Sequence, residues 1–229
     1  MTNTRNLAVS ICSIVLWTPL IYAQDLSRYR EFQLGMNLLA VAKQIDARPS
    51  EAKVIHQRLA VIQELEWRPR HALASPREAD SINEILFTFH NGELFRMVVS
   101  YDQQRTEGLT DQDMIEAISA TYGIATQPAA NIILFSSSYI YHDSEKVMAR
   151  WEDSQSSLSL FRSSSQPSFG MLVLSKRVDA LAQEAIRNAI RLDEQEAPQR
   201  DIERRKKEGE ENRAAQEKHR PANKADFRP

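Results

Sequence analysis

The sequence predicts an α+β protein made of two tandem helix-plus-antiparallel-sheet units with a closing C-terminal helix. Three features carry that expectation: an Asn91-Gly92 pair between two apolar runs, a helix whose limits are written at Thr110 and Gly123, and three short strand-like runs that lead into an amphipathic helix. Among 229 residues, 42% hydrophobic residues suffice for one or two modest cores.

The first unit begins with a helix over Gly35–Ile45, with Leu38, Leu39, Val41 and Ala42 inward and a stop before Pro49. Residues 52–67 fit two patterns. Ile55, Leu59 and Ile62 follow helical spacing, whereas Val61, Leu65 and Trp67, with Gln63 among them, alternate as a strand does; a strand over 61–67 is expected and the earlier part stays open. In Ile85–Tyr101, Asn91-Gly92 predicts a two-residue type I′ hairpin, because both loop positions need positive φ. Pairing His90 with Glu93 places Phe89 opposite Leu94, Phe87 opposite Arg96 and Ile85 opposite Val98. Leu86, Phe95, Met97 and Val99 then take the other face, so both faces are mostly apolar.

In the second unit, Thr110 and Asp113 form a capping-box pattern, Met114, Ile115, Ile118 and Tyr122 recur at helical spacing, and Gly123 supplies a left-handed stop. After a connector over 124–141, strands are expected at 146–151, 157–162 and 169–174, with turns at Glu152–Gln155 and Ser164–Pro167. A helix over 176–196 carries Val178, Leu181, Ala182, Ala185, Ile186 and Ala189 on one stripe. The repeat, at about 34–101 and 110–174, is one of element order, with almost no identical residues to align.

The two ends differ in composition from this middle. Residues 1–23 carry one charged side chain, Arg5, then run apolar from Leu7 to Tyr22 and reach Ala23 before Gln24, the layout of a secretory signal peptide cleaved between Ala23 and Gln24. The competing reading is an N-terminal membrane anchor, which Ser10, Ser13, Thr18 and Pro19 disfavour. Cys12, preceded by Ile11 and in the first half of the apolar run, does not suit a lipid anchor, and its loss with the signal leaves a cysteine-free mature chain. From Gln199 the only large apolar residues are Ile202 and Phe227, so 199–229 is expected to be a charged tail, disordered or a solvated helix. Glu203 with Lys207 and Arg213 with Glu217 are spaced for helix-surface pairs. The expected organisation is signal 1–23, first unit 24–105, second unit with its helix 106–198, and tail 199–229.

Phe32-Gln33-Leu34-Gly35-Met36 followed by Val41, with Phe87-Thr88-Phe89-His90-Asn91-Gly92-Glu93-Leu94, resembles small secreted modules related to the outer-membrane assembly lipoprotein and the β-lactamase inhibitor protein. The mature chain, with WEDSQSSLSLFR at 151–162 and its charged tail, also resembles uncharacterised secreted bacterial proteins. The module resemblance covers about half of the chain and implies a curved antiparallel sheet, helices on one side and a protein-binding role. The absence of a lipobox cysteine and of mature-chain disulfides keeps membrane anchoring and lactamase inhibition from being carried over.

Motifs for nucleotide, zinc or serine-nucleophile chemistry are absent from the sequence, and the six glycines are too dispersed for a phosphate cradle. No cofactor or metal is expected; His142-Asp143 with Glu145 reads as a solvated loop, and His56, His71 and His90 share no motif. A formal charge of -2 and 7% aromatics give no ground for nucleic-acid binding, and Arg204–Lys207, followed by Glu208, reads as a solvated charge run.

Two functions from different classes are expected. One is a secreted or periplasmic non-catalytic protein-binding or scaffolding module, meeting an unknown envelope or extracellular protein through a sheet face that includes Ile85, Phe87, Arg96 and Val98. The alternative is a carboxylate-dependent hydrolase with a cleft between the two units, for which Glu64 with Glu66 and Glu152 with Asp153 are the available acid pairs. Trp67, Tyr101, Trp151 and Phe161 are candidates for a sugar or peptide groove, with core packing as the competing explanation.

Overall fold

The computed structural model describes residues 25–69, 81–126, 131–133, 144–162 and 168–226. Ala23, Gln24, His71 and His142-Asp143 lie outside them. Among the described residues no helix is long and apolar enough to cross a membrane. The architecture is α+β. A small ribbon, β1 (Arg28–Tyr29) and β2 (Phe32–Gln33), leads into α1 (Leu38–Gln44) and a 3-10 turn at Pro49–Glu51; β3 (Lys53–His56), β4 (Ile62–Trp67), β5 (Ile82–His90) and β6 (Glu93–Tyr101) follow. Next come α2 (Gln103–Thr106), α3 (Asp111–Tyr122), β7 (Asn131–Ile133), β8 (Ser144–Glu152), β9 (Ser156–Arg162), β10 (Phe169–Ser175) and α4 (Lys176–Asp226). Among the described residues eight strands form one antiparallel sheet in the order β3-β4-β5-β6-β10-β9-β8-β7. That order is a palindrome: each unit is a helix followed by a four-strand meander, and the two meanders join edge to edge through their last strands, β6 and β10.

The join exposes a repeat that linear alignment hides. Met97 pairs with Val173 and Val99 with Met171, so Phe95-Arg96-Met97-Val98-Val99 and Phe169-Gly170-Met171-Leu172-Val173 are related by a pseudo-two-fold through the Val98–Leu172 pair. The equivalence extends outward. Trp67, Ile85 and Val99 stand side by side in the first unit as Trp151, Leu158 and Val173 do in the second. Each unit also opens its helix with a glycine two residues before the cap: Gly35 precedes Asn37 and Gly108 precedes Thr110, both with positive φ, of 91° and 83°. Asn37 Oδ1 accepts from Ala40 N at 2.8 Å, and Thr110 and Asp113 form the expected capping box.

One face of the sheet, here the inner face, carries Leu65, Ile85, Phe87, Met97, Val99, Ala149, Trp151, Leu158, Leu160, Met171 and Val173, all buried. Val41 and Ala42 of α1, Met114, Ile118 and Tyr122 of α3, and Phe32 of the ribbon complete this core. Phe32 stands 4.7 Å from Phe87 and edge-on to Trp67 at 5.8 Å. On the outer face, the first part of α4 packs Val178 and Ala182, with Ala185 and Ile186 alongside, onto Ala60, Ile62 and Phe95. The exposed Leu39 and Leu181 depart from the expected stripes; in a seven-residue α1, Leu38, Val41, Ala42 and Ile45 already complete the buried arc.

The hairpin corrects one expectation. Asn91 and Gly92 both have positive φ, and His90–Glu93 and Phe89–Leu94 pair as expected, but an irregularity beside Phe95 shifts everything after it by one. Phe87 therefore pairs with Met97 and not Arg96, and Ile85 with Val99 and not Val98. The shift moves Met97 and Val99 inward and sends Arg96 and Val98 outward. α4 runs well past residue 196 through Pro198 to Asp226, with its residues from Gln199 to Pro221 exposed. Of the tail's two forms, the solvated helix is the one present. Its surface pairs include Arg204 with Asp201 at 2.9 Å and with Glu208 at 4.0 Å, and Lys207 with Glu211 at 3.8 Å, rather than the two anticipated from spacing.

Candidate functional site

The four residues expected to share a binding face do not share one. Ile85 and Phe87 are fully buried on the inner face beneath α1 and the ribbon, whereas Arg96 and Val98 lie on the outer face. Arg96 is itself buried, because α4 crosses it: its Nη2 donates to Asp179 Oδ1 at 2.6 Å. Its Nε has no hydrogen-bond partner among the described residues. An arginine expected to reach water or a partner is thus the internal clamp for α4.

A polar concavity lies beyond that clamp, over the join between the units. It encloses about 700 Å³ at the far end of β5, β6, β10 and β9, where β6 turns into α2. Its floor is Val98 and Ser100 of β6, Gly170 of β10 and Phe161 of β9, and its rim holds Arg68, Glu84, Asp102, Gln103 and Glu145. Local sequence explains each part. Gly170 has no side chain where a Cβ would collide with the Phe161 ring, so the ring lies across the strand and walls the cavity. Asp102 ends β6 and caps α2, accepting from Arg105 N at 3.0 Å, which brings the amides of Gln103 and Gln104 to the rim.

Charge in this cavity is organised around Glu84. Arg68 Nη2 lies 2.9 Å from Glu84 Oε2, and Arg68 Nε lies 2.8 Å from Glu66 Oε1, so one guanidinium serves two carboxylates. Burial, followed by the neighbouring charge of Glu66, pushes the Glu84 carboxyl above its ordinary range, against the opposing pull of Arg68. Glu145 is buried at the cavity wall. Sequence reasoning passed over Glu84 because it stands, with Asn83, just ahead of the apolar run that begins at Ile85; the available signal was the single acid of that strand.

The remaining candidates are dispersed. Glu64 and Glu66 share the outer face of β4, with Glu64 buried opposite Thr88 and Lys53. Glu152 and Asp153 are consumed by a turn: Lys176 beside Glu152 at 2.8 Å holds that carboxyl below its usual range, and Asp153 Oδ1 accepts from Gln155 N and Ser156 N. Trp151 is core, its Nε1 donating to Gly123 O at 2.9 Å, and Trp67 packs on Phe32. Of the four aromatic candidates, Tyr101 and Phe161 reach the cavity. His90 stands edge-on to Phe95 at 6.5 Å. Among the described residues no three His, Cys, Asp or Glu side chains converge as metal ligands. Comparison with protein-family models, curated proteins and solved structures finds no match.

Proposed function

We propose that the chain is a secreted or periplasmic non-catalytic protein-binding module, and that the cavity over the join receives a basic side chain of its partner. The observation that carries this reading is the charge of the rim. Among the described lining residues Glu84 and Asp102 outnumber Arg68, whose guanidinium is already engaged by Glu66 and Glu84. Ring faces at Phe161 and amides at Asn83, Gln103 and Gln104 suit the stem and head of a lysine or arginine. The extracytoplasmic address rests on residues 1–23 and the Ala23–Gln24 junction, and the binding role agrees with what the resemblance to secreted inhibitor and assembly modules implies.

A second reading has one observation in its favour. A carboxyl raised above its ordinary range beside another acid is what a general acid requires, so Glu84 supports the carboxylate-dependent hydrolase with its cleft between the units. One experiment separates the two. Peptides differing in a single central residue, Lys, norleucine or Glu, are titrated onto the mature chain and onto Glu84→Gln and Asp102→Asn. Selective binding of the Lys peptide that both variants weaken supports the module, and equal binding of all three overturns it. Turnover of a glycan or peptide that Glu84→Gln abolishes establishes the hydrolase.

A further inference from the structure

Glu84 takes its counter-charge from a residue that is free to leave it. Continuing the register one step past the Trp67–Ile85 pair brings Arg68 opposite Glu84, but Arg68 follows the last residue of β4 and stands outside the ladder. Its Nε and Nη2 both reach the same carboxylate oxygen, Glu84 Oε2, at 3.0 and 2.9 Å. The Nε also lies 2.8 Å from Glu66 Oε1. Glu84 Oε1 has no hydrogen-bond or ion-pair partner among the described residues.

The two members of this pair sit in different surroundings. The Arg68 side chain is 67% exposed and that of Glu84 25%. Water therefore replaces most of what Arg68 loses on leaving, whereas the sunken carboxylate depends on whichever cation stands beside it. One guanidinium does not satisfy it: burial and the charge of Glu66 outweigh Arg68 and the weaker pull of Lys53, so the Glu84 carboxyl stays above its ordinary range. Two carboxylates sharing one arginine are a cation short. A second cation entering the cavity along Val98, Ser100 and Phe161 supplies it, with Arg68 left on Glu66 and each carboxylate holding one positive charge.

We propose that Arg68 is an internal competitor at this site: the partner's basic side chain takes Glu84 from the cavity side, and Arg68 withdraws to Glu66. The inference rests on the reading of the cavity as the seat of a basic side chain, and it adds the residue that sets how strongly such a side chain must bind to be accepted. Chemical-shift titration of an isotope-labelled chain of residues 24–229 with acetyl-Gly-Ala-Lys-Ala-Gly-amide, and with its norleucine counterpart, tests it. Arg68→Gln is expected to bind the Lys peptide at least about threefold tighter than the unaltered chain, because it removes a competing charge whose own surface pair is weak. The norleucine peptide should bind both equally. Arg68→Lys, which keeps a cation in place, is expected to behave as the unaltered chain, and Glu84→Gln to abolish the preference for Lys. Arg68 is exposed beyond the strand, so its variants keep the fold, which a thermal melt of each checks. A preference for Lys that emerges only in Arg68→Gln also supports the competitor. Weaker Lys binding in Arg68→Gln makes Arg68 a positioning residue for Glu84 and overturns the proposal, as do unchanged binding and equal tightening by Arg68→Lys and Arg68→Gln. In those three outcomes a Glu84-dependent preference for Lys in the unaltered chain leaves the basic-side-chain reading standing, whereas the absence of any preference in every chain removes that reading and the competitor with it.

Discussion

At positions related by the pseudo-two-fold, the two units carry opposite solutions to one packing problem. In the first unit, Arg96 of β6 stands beside Thr88 of β5, a large residue next to a small one; in the second, Gly170 of β10 stands beside Phe161 of β9, and the sizes are exchanged. The long arginine reaches up to Asp179 and holds α4 across the outer face of the first unit. The glycine admits the neighbouring ring flat across the strand and leaves a concavity. This pair of positions thus marks where the outer face is covered by a helix and where the hollow begins, the hollow reaching across the join onto Glu84, Val98 and Ser100 of the first unit. The inner face keeps the symmetry, because Met-x-Val in both strands fills the same central layer.

The largest effect is expected from breaking the covered half. Asp179→Ala leaves the Arg96 guanidinium buried without its counter-charge, which costs about 3–5 kcal/mol. Chemical denaturation of a chain of residues 24–229 checks the loss. Combining Arg96→Met with Asp179→Leu should restore most of it, since an apolar pair of similar volume avoids the desolvation penalty. A double variant as unstable as Asp179→Ala alone would show that packing of α4, and not the charge pair, holds the helix.

The hollow half should respond next. Gly170→Ala inserts a methyl where the Phe161 ring lies and is expected to destabilise by about 1–3 kcal/mol through overpacking. Phe161→Leu in the same chain should relieve that strain, and the two changes should couple in a double-mutant cycle. Additive losses would mean that the ring moves aside freely and that the glycine serves no close approach.

How much of this was legible beforehand follows from the range of the interactions involved. Local signals survived intact: Asn91-Gly92 set the turn, Thr110 and Asp113 set the cap, and alternating runs placed β8, β9 and β10. Within each unit the main helix and the last three strands were readable in order, whereas β3 fell in the stretch left open and β7 in the expected connector. The face assignment of β6 was lost at Phe95, because one irregular residue inverts every later side chain and no composition signal marks it. Exposure of Arg96 was misjudged because Asp179 is 83 residues away and only tertiary packing brings them together. The repeat of element order was readable, but its residue equivalences were hidden by unequal loops and became visible once the β6–β10 pairing supplied the frame. Gly35 and Gly108, each two residues before a helix cap, were the surviving local trace.

A smaller effect should come from Glu84. Its folded-state carboxyl is raised, so the protonated form is favoured by folding; the associated stability is present below the ordinary glutamate range and is lost as pH rises through the raised value. Glu84→Gln, neutral throughout, should therefore raise the melting temperature slightly at pH 7, by less than about 2 °C. That gain should vanish when the melt is repeated in acid, where the wild-type carboxyl is also neutral. The corresponding change at Glu152, held low by Lys176 at a surface turn, should have the opposite sign at pH 7.

The smallest effect is expected from the far part of α4, which differs from its first part in what it touches. Residues 178–189 bury Val178, Ala182 and Ala189, and Arg58 ties the next turns through Glu196 at 2.7 Å and Asp193 at 3.2 Å. From Gln199 to Pro221 the residues are exposed, and their ion pairs lie between solvent-exposed side chains. Pairs of that kind contribute about 0–1 kcal/mol in total context and are screened by salt. Pro198 also removes one backbone donor within the helix, so the far part gains little from cooperation with the docked part. A chain of residues 24–198 should melt within about 2 °C of one of residues 24–229, and raising the salt concentration should abolish even that difference while far-ultraviolet circular dichroism reports the lost helix. A fall of many degrees would mean that the exposed helix docks on the body in solution, and that the covered half of the outer face extends further than the Arg96–Asp179 clamp.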